Sequence, residues 1–170
     1  MKLVKYLLVA MLVLLSINSA GARNSIAANV ISPQLKPIID GYFEIKDALV
    51  KSDSKTAAAK SKDLLFAITA LKMESLTESE NTAWMKVMED LKRDAKTISK
   101  THDIKKQRQA LKALSQNTYT LLKASQPETA VYYNHCPMVD ANWLSLEKGI
   151  KNPYYGSQML TCGKTIETIK

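Results

Sequence analysis

Four stretches of the chain repeat apolar residues at intervals of three and four, which is the period of an amphipathic helix. The pattern predicts one helix from Pro33 to about Val50, with Ser32 as its N-cap, and a second over residues 54–73, capped by Asp53. A third helix begins after a cap in residues 77–80 and runs to about residue 99, and a fourth covers residues 104–125. Four such helices joined by short polar turns predict an all-α fold, an up-down four-helix bundle.

The helical period stops at Pro127, and tyrosine, tryptophan, proline and glycine become frequent. Residues 131–133 and 164–169 have the β-branched and aromatic bias of short strands, and Asn152 to Gly156 has the composition of a turn. Such an aromatic-rich stretch does not stay unfolded in water. We therefore expect an irregular C-terminal segment, rich in aromatic residues and in Cys and Met and with short strands, packed on the bundle.

The N-terminus has the three parts of a secretory signal peptide. Lys2 and Lys5 supply positive charge, residues 7–15 are apolar, and small residues occupy positions 20–22. We predict a signal peptide over residues 1–22, a linker over residues 23–31 and a single domain over residues 32–170. The protein is then periplasmic or secreted, with no stable membrane insertion after cleavage.

Charge and motifs argue against two broad functions. Removing residues 1–22 takes away two lysines and no acidic residue, so the net charge falls from +8 to +6. The lysines are spread along the chain without an aromatic-basic motif, which disfavours nucleic acid as a partner. The sequence lacks the nucleophile-elbow, zinc-protease and phosphate-loop motifs, and we predict that the protein is not an enzyme.

Both cysteines of the protein lie in the segment 131–163, and each has a methionine nearby. Cys136 is followed by Met138, and Met159 precedes Cys162. Thiolate and thioether sulfur select Cu(I), and an imidazole such as that of His135 is compatible with the same ion. Ag(I) and Zn(II) suit the same donors.

The spacing indicates how these donors converge. In an extended backbone Cys136 and Met138 share one face, and in a helical turn Met159 and Cys162 do so as well. We predict a metal site with five candidate ligands: Cys136, Met138, Met159, Cys162 and His135.

A structural disulfide explains the cysteines equally well. Two thiols in an exported protein often form a disulfide. A Cys136–Cys162 bond would close a loop of about 25 residues and stabilise the folded protein by about 3 kcal/mol. The protein is then a structural or interaction module of the cell envelope without a metal. The sequence leaves the two alternatives open.

The sequence also carries a family resemblance, which spans essentially the whole chain after residue 22. It is similar to the domain-of-unknown-function family 3347, through these residues: Gln107-Arg108, Leu114-Ser115, Tyr133, Cys136-Pro137-Met138, Trp143-Leu144-Ser145, Ile150, Asn152-Pro153-Tyr154-Tyr155-Gly156, Met159 and Cys162-Gly163. That family occurs as small exported proteins and on periplasmic adaptors of heavy-metal efflux pumps. The resemblance implies a periplasmic helical domain that handles copper or silver, with an efflux adaptor or another periplasmic copper protein as its partner.

Overall fold

A computed structural model describes residues 31–170 of the chain. The predicted signal peptide, and the predicted linker except for its last residue, lie outside the described residues. Four helices are present: α1 (Lys36–Val50), α2 (Ser54–Ala70), α3 (Glu78–Ser99) and α4 (Ile104–Ser125). Each helix packs against the next and α1 also packs against α4, which confirms the helical bundle. Between residues 31 and 170, no helix is both long enough and apolar enough to cross a membrane.

Helices α2 and α3 begin at the caps that the sequence predicts, and α4 begins at a further cap, Asp103. The Asp53 carboxylate accepts the backbone N–H of Thr56 at 2.9 Å at the start of α2. Thr77 and Glu80 form a reciprocal capping box at the start of α3. Asp103 accepts the backbone N–H of Lys105 at 2.9 Å at the start of α4. Each cap satisfies first-turn donors that have no partner within their own helix.

The predicted start of α1 and end of α2 are wrong by about a turn. Helix α1 begins at Lys36, and Ser32 does not cap it. Instead, the backbone N–H of Ser32 donates to the Glu80 carboxylate at 3.0 Å, and its hydroxyl donates to the same group. Ser32 therefore fastens the chain before α1 to the start of α3. Helix α2 ends at Ala70, three residues before the predicted Met73.

The C-terminal segment contains a sheet, which corrects the expectation of an irregular segment. Strands β1 (Val131–Cys136), β2 (Ala141–Ser145) and β3 (Lys164–Ile169) form an antiparallel sheet in the order β2-β1-β3. Strand β3 has the predicted bounds, whereas β2 was not predicted. Most side chains of β2 are buried, so the strand lacks the polar alternation that marks a half-exposed strand.

The sheet is attached to the bundle through a buried tyrosine of α1. The backbone N–H of Leu144 in β2 donates to the Tyr42 hydroxyl at 2.9 Å, and that hydroxyl also pairs with Ser115 of α4 at 2.8 Å. Burial raises the pKa of Tyr42, so the phenol stays neutral and keeps its proton for hydrogen bonding. The bundle and the sheet therefore share one hydrophobic core.

Candidate metal centre

The structure brings the two cysteines together. Cys136 is the last residue of β1, and Cys162 lies two residues before β3, which pairs with β1. Their Sγ atoms are 3.2 Å apart, and both are free thiols. Cys136 is fully buried, whereas Cys162 is partly exposed. The pair therefore has one sulfur inside the protein and one at its surface.

The pKa values of the two thiols shift in opposite directions. Burial raises the pKa of Cys136, but hydrogen bonding with Cys162, with the backbone at Val139 and Met138 and with Asn152 outweighs it and leaves the pKa lowered. Hydrogen bonding with Cys136 and then burial raise the pKa of Cys162.

Helix α4 holds the turn that directly follows Cys136. The turn joins β1 to β2 over residues 137–140, and Asp140 has a φ of 44° in it. The Lys112 ammonium donates to the carbonyl oxygen of Val139 at 2.9 Å. The bundle thereby fixes the backbone next to Cys136.

Asn152 organises the loop that carries Cys162. Its backbone N–H donates to the carbonyl oxygen of Leu160, and its side-chain amide donates to that of Cys162, both at 2.8 Å. Its side-chain oxygen accepts the backbone N–H of Tyr154, also at 2.8 Å. The sequence pattern marks Asn152 only as a turn residue. Its role at the site follows from the folded loop, because its partners lie up to ten residues away.

Arg108 fastens the same loop to the bundle. Its guanidinium donates to the carbonyl oxygens of Pro153 at 2.8 Å and Leu49 at 3.1 Å, and to the hydroxyl of Ser52 at 2.9 Å. Gly156 lies against this group with a φ of 59°, and a Cβ there would approach the guanidinium to 2.8 Å. The Gln107-Arg108 and Asn152–Gly156 motifs thus meet in space.

Trp143 packs against Gly163, the residue directly after Cys162. Trp143 is fully buried in β2 and packs edge-on against Tyr154, with ring centroids 6.1 Å apart. Gly163 has a φ of 139°, and a Cβ there would lie 2.6 Å from the Trp143 ring and 2.9 Å from the carbonyl oxygen of His135. Only glycine fits both the backbone conformation and the space directly after Cys162.

The two methionines have different positions. Met138 lies in the 137–140 turn, so the predicted extended Cys136–Met138 segment is wrong, and its side chain is 65% exposed. Met159 ends a 3-10 helix (Gly156–Met159) and is half-buried. The backbone N–H of Cys162 donates to the carbonyl oxygen of Met159 at 3.1 Å, which confirms the predicted helical turn.

His135 does not join the thiols. Successive side chains of a strand point to opposite faces, so His135 and Cys136 face opposite sides of the sheet. His135 pairs with Asn142 across the β1–β2 ladder, and its Nδ1 lies 2.8 Å from the Asn142 side-chain oxygen. In the described part of the chain, no three His, Cys, Asp or Glu side chains form a metal-binding group.

The donors suit a soft ion once the two thiols move apart. Two sulfurs with metal bonds of about 2.3 Å lie about 3.8 Å apart at a tetrahedral angle and about 4.6 Å apart on opposite sides of the ion. The Sγ atoms at 3.2 Å must therefore separate by at least about 0.6 Å. The Cys162 side chain is partly exposed whereas Cys136 is fully buried, so Cys162 is the sulfur that can change position without displacing the core.

The fold defines a helical-bundle protein whose C-terminal sheet carries a paired-cysteine site. A family model described as a protein of unknown function (DUF3347) matches residues 38–130, and the chain belongs to this family. The match ends before β1, so it covers the bundle and none of the cysteine and methionine residues of the site. Comparisons with curated proteins and with solved structures give no match.

Proposed function

We propose that this protein is an exported, periplasmic accessory protein that binds Cu(I) or Ag(I) and is linked to heavy-metal efflux or resistance. The observation that supports this most is the approach of the Cys136 and Cys162 thiols to 3.2 Å. Paired thiols are soft ligands, and Cu(I) prefers soft ligands to the oxygen donors of the surrounding surface.

Cys136 and Cys162 would hold the ion as the two anionic ligands. Met159 is the best placed third ligand, because it lies three residues before Cys162 on the same helical turn. Met138 is the fourth, and its exposed side chain extends from the turn that directly follows Cys136. The bound ion would partly neutralise the charge of the thiolates.

The exposed side of the site suits transfer of the ion. Cys162 is partly exposed, and Met138 and Leu160 present apolar side chains to solvent in the two segments that carry the cysteines. A partner that offers its own thiolate or thioether ligands can reach Cys162 without unfolding the sheet. We propose a heavy-metal efflux adaptor or another periplasmic copper protein as that partner.

Anaerobic titration of the reduced protein, residues 23–170, with Cu(I) against a competing chelator tests the proposal. We expect tight one-to-one binding, lost in a Met138→Leu, Met159→Leu double variant. Met85→Leu is the matched control, because Met85 is 57% exposed on α3, outside the site. Binding that persists in the double variant would remove the methionines from the ligand set, and no binding to the wild type would contradict the proposal.

The same 3.2 Å separation also favours a second function. A Cys136–Cys162 disulfide would pin the tail to the sheet, and the protein would be a structural or interaction module of the cell envelope with no metal role. That alternative predicts that the fully reduced protein fails to compete with the chelator for Cu(I). It also predicts a lower melting temperature for the reduced protein than for the oxidised one.

A further inference from the structure

The two thiols differ in how an external molecule can reach them. Cys136 is fully buried at the end of β1, whereas Cys162 is partly exposed on a loop. Their Sγ atoms are 3.2 Å apart, and a disulfide needs about 2.05 Å, so closure requires a movement of about 1 Å. A disulfide formed here would present only its Cys162 sulfur to an attacking thiolate.

The position of Cys136 decides which sulfur leaves. Cys136 is fully buried at the end of β1, and the turn that follows it is tied to α4 by the 2.9 Å hydrogen bond from Lys112 to the carbonyl oxygen of Val139. The loop that carries Cys162 is held by the Asn152 side chain, which donates to the Cys162 carbonyl oxygen at 2.8 Å. An external thiolate therefore meets the Cys162 sulfur first, and the buried Cys136 sulfur is the one that is released.

We propose that Cys136 and Cys162 form a thiol–disulfide exchange pair, in which Cys162 is the sulfur attacked from outside and Cys136 is the leaving sulfur. A thiolate of the reductant forms a bond to the Cys162 sulfur, and the electron pair of the broken bond goes to Cys136. The second thiolate of the same reductant then attacks the reductant sulfur that is bonded to Cys162, which releases the Cys162 thiolate. The reductant, a small-molecule or protein dithiol, supplies both electrons and becomes a disulfide.

This exchange requires the cysteine pair and no metal. The proposed copper site needs both sulfurs reduced, so the exchange would also switch metal binding on and off. The exchange is measured without a metal and Cu(I) binding is measured without an oxidant. Failure of one proposal therefore leaves the other standing.

Glutathione disulfide is the probe in the first test, with two single-cysteine variants. Cys136→Ser keeps the exposed thiol, and Cys162→Ser keeps the buried one. Mass spectrometry follows the mixed disulfide over time, after circular dichroism has established that both variants are folded. We expect Cys136→Ser to react faster by roughly tenfold or more, because attack depends on access to the sulfur. Equal rates, or a faster reaction of Cys162→Ser, would overturn the proposal.

The wild-type protein provides a second test that does not depend on either variant. The oxidised protein is mixed with reduced glutathione, quenched in acid and mapped by peptide mass spectrometry. We expect the transient glutathione adduct on Cys162. An adduct mainly on Cys136, or a protein that keeps both thiols in excess glutathione disulfide, would contradict the exchange pair.

Discussion

The guanidinium of Arg108 donates a 2.8 Å hydrogen bond to the carbonyl oxygen of Pro153, which joins α4 to the loop that carries Cys162. The two residues are 45 positions apart in the chain. Burial lowers the pKa of Arg108, and its hydrogen bonds to carbonyl oxygens offset the loss of hydration. The bundle thereby positions a cysteine that lies outside it.

Replacing Arg108 by methionine should loosen the cysteine loop. The variant leaves the carbonyl oxygens of Pro153 and Leu49 without this donor, and each lost bond of this kind costs about 1–3 kcal/mol. We expect a lower free energy of unfolding in urea and faster alkylation of Cys162 by iodoacetamide in the folded protein.

Lys105→Met is the matched control, because Lys105 is an exposed cation one turn earlier on α4. It should leave both the free energy of unfolding and the alkylation rate close to the wild-type values. An Arg108→Met protein with an unchanged alkylation rate would contradict the anchoring role.

Gly163→Ala should disturb the packing directly after Cys162. The new Cβ would lie 2.6 Å from the Trp143 ring and 2.9 Å from the His135 carbonyl oxygen, at a φ of 139°. Overpacking and backbone strain together predict a loss of about 2–4 kcal/mol in the free energy of unfolding. Thermal and urea denaturation measure this loss. Gly149→Ala is the control, because no atom lies within 4 Å of a Cβ there, and an equal loss in both variants would contradict the account.

Glu80 should make the fold sensitive to acid. Burial raises the pKa of Glu80, but hydrogen bonds from Ser32 and Thr77 outweigh it and leave the pKa below its usual value. A carboxyl whose pKa is lowered on folding stabilises the protein above its unfolded pKa, and this contribution is lost as the pH falls through the folded pKa. We expect Glu80→Gln to be less stable than wild type at pH 7 and the difference to shrink below about pH 4.

Glu78→Gln is the control for this pH dependence, because Glu78 is exposed in the same first turn of α3. Urea denaturation at pH 7 and pH 3 compares the two variants with wild type. A stability gap between Glu80→Gln and wild type that is equal at the two pH values would rule out the charge of Glu80 as its cause.

Cu(I) should stabilise the reduced protein. A ligand that binds only the folded state at one hundred times its dissociation constant adds about 2.7 kcal/mol to the free energy of unfolding. We expect an anaerobic rise in melting temperature with Cu(I) that disappears in Cys162→Ser. A rise of equal size in Cys162→Ser would place the bound ion elsewhere.

The sequence predicted the elements whose signals are local. Asp53 and Thr77 were predicted as caps because a cap depends on residues only a few positions away. Ser32 has the same side chain chemistry, but its partner Glu80 is 48 residues away and no local pattern shows that pairing. The bounds of β3 were also predicted, whereas β2 became visible only through its pairing with β1.

The candidate site was predicted in part for the same reason. Both cysteines lie in the C-terminal segment, and the sequence predicted that they come together there. The helical turn was predicted from the three-residue spacing of Met159 and Cys162. Side chains alternate between the two faces of a strand, so the face that a residue occupies is known only once the extent of the strand is known. Because β1 runs through Cys136 and then turns, His135 faces away from the thiols and Met138 extends into solvent.

X-ray absorption at the copper edge of the Cu(I)-loaded, reduced protein tests the central claim most directly, because it identifies the atoms bound to the ion. The account predicts a first shell of sulfur at about 2.3 Å, without the outer-shell signals of an imidazole ring, and loss of the bound copper in a Cys136→Ser, Cys162→Ser double variant. A first shell of nitrogen or oxygen, or copper retained without the two cysteines, would contradict it.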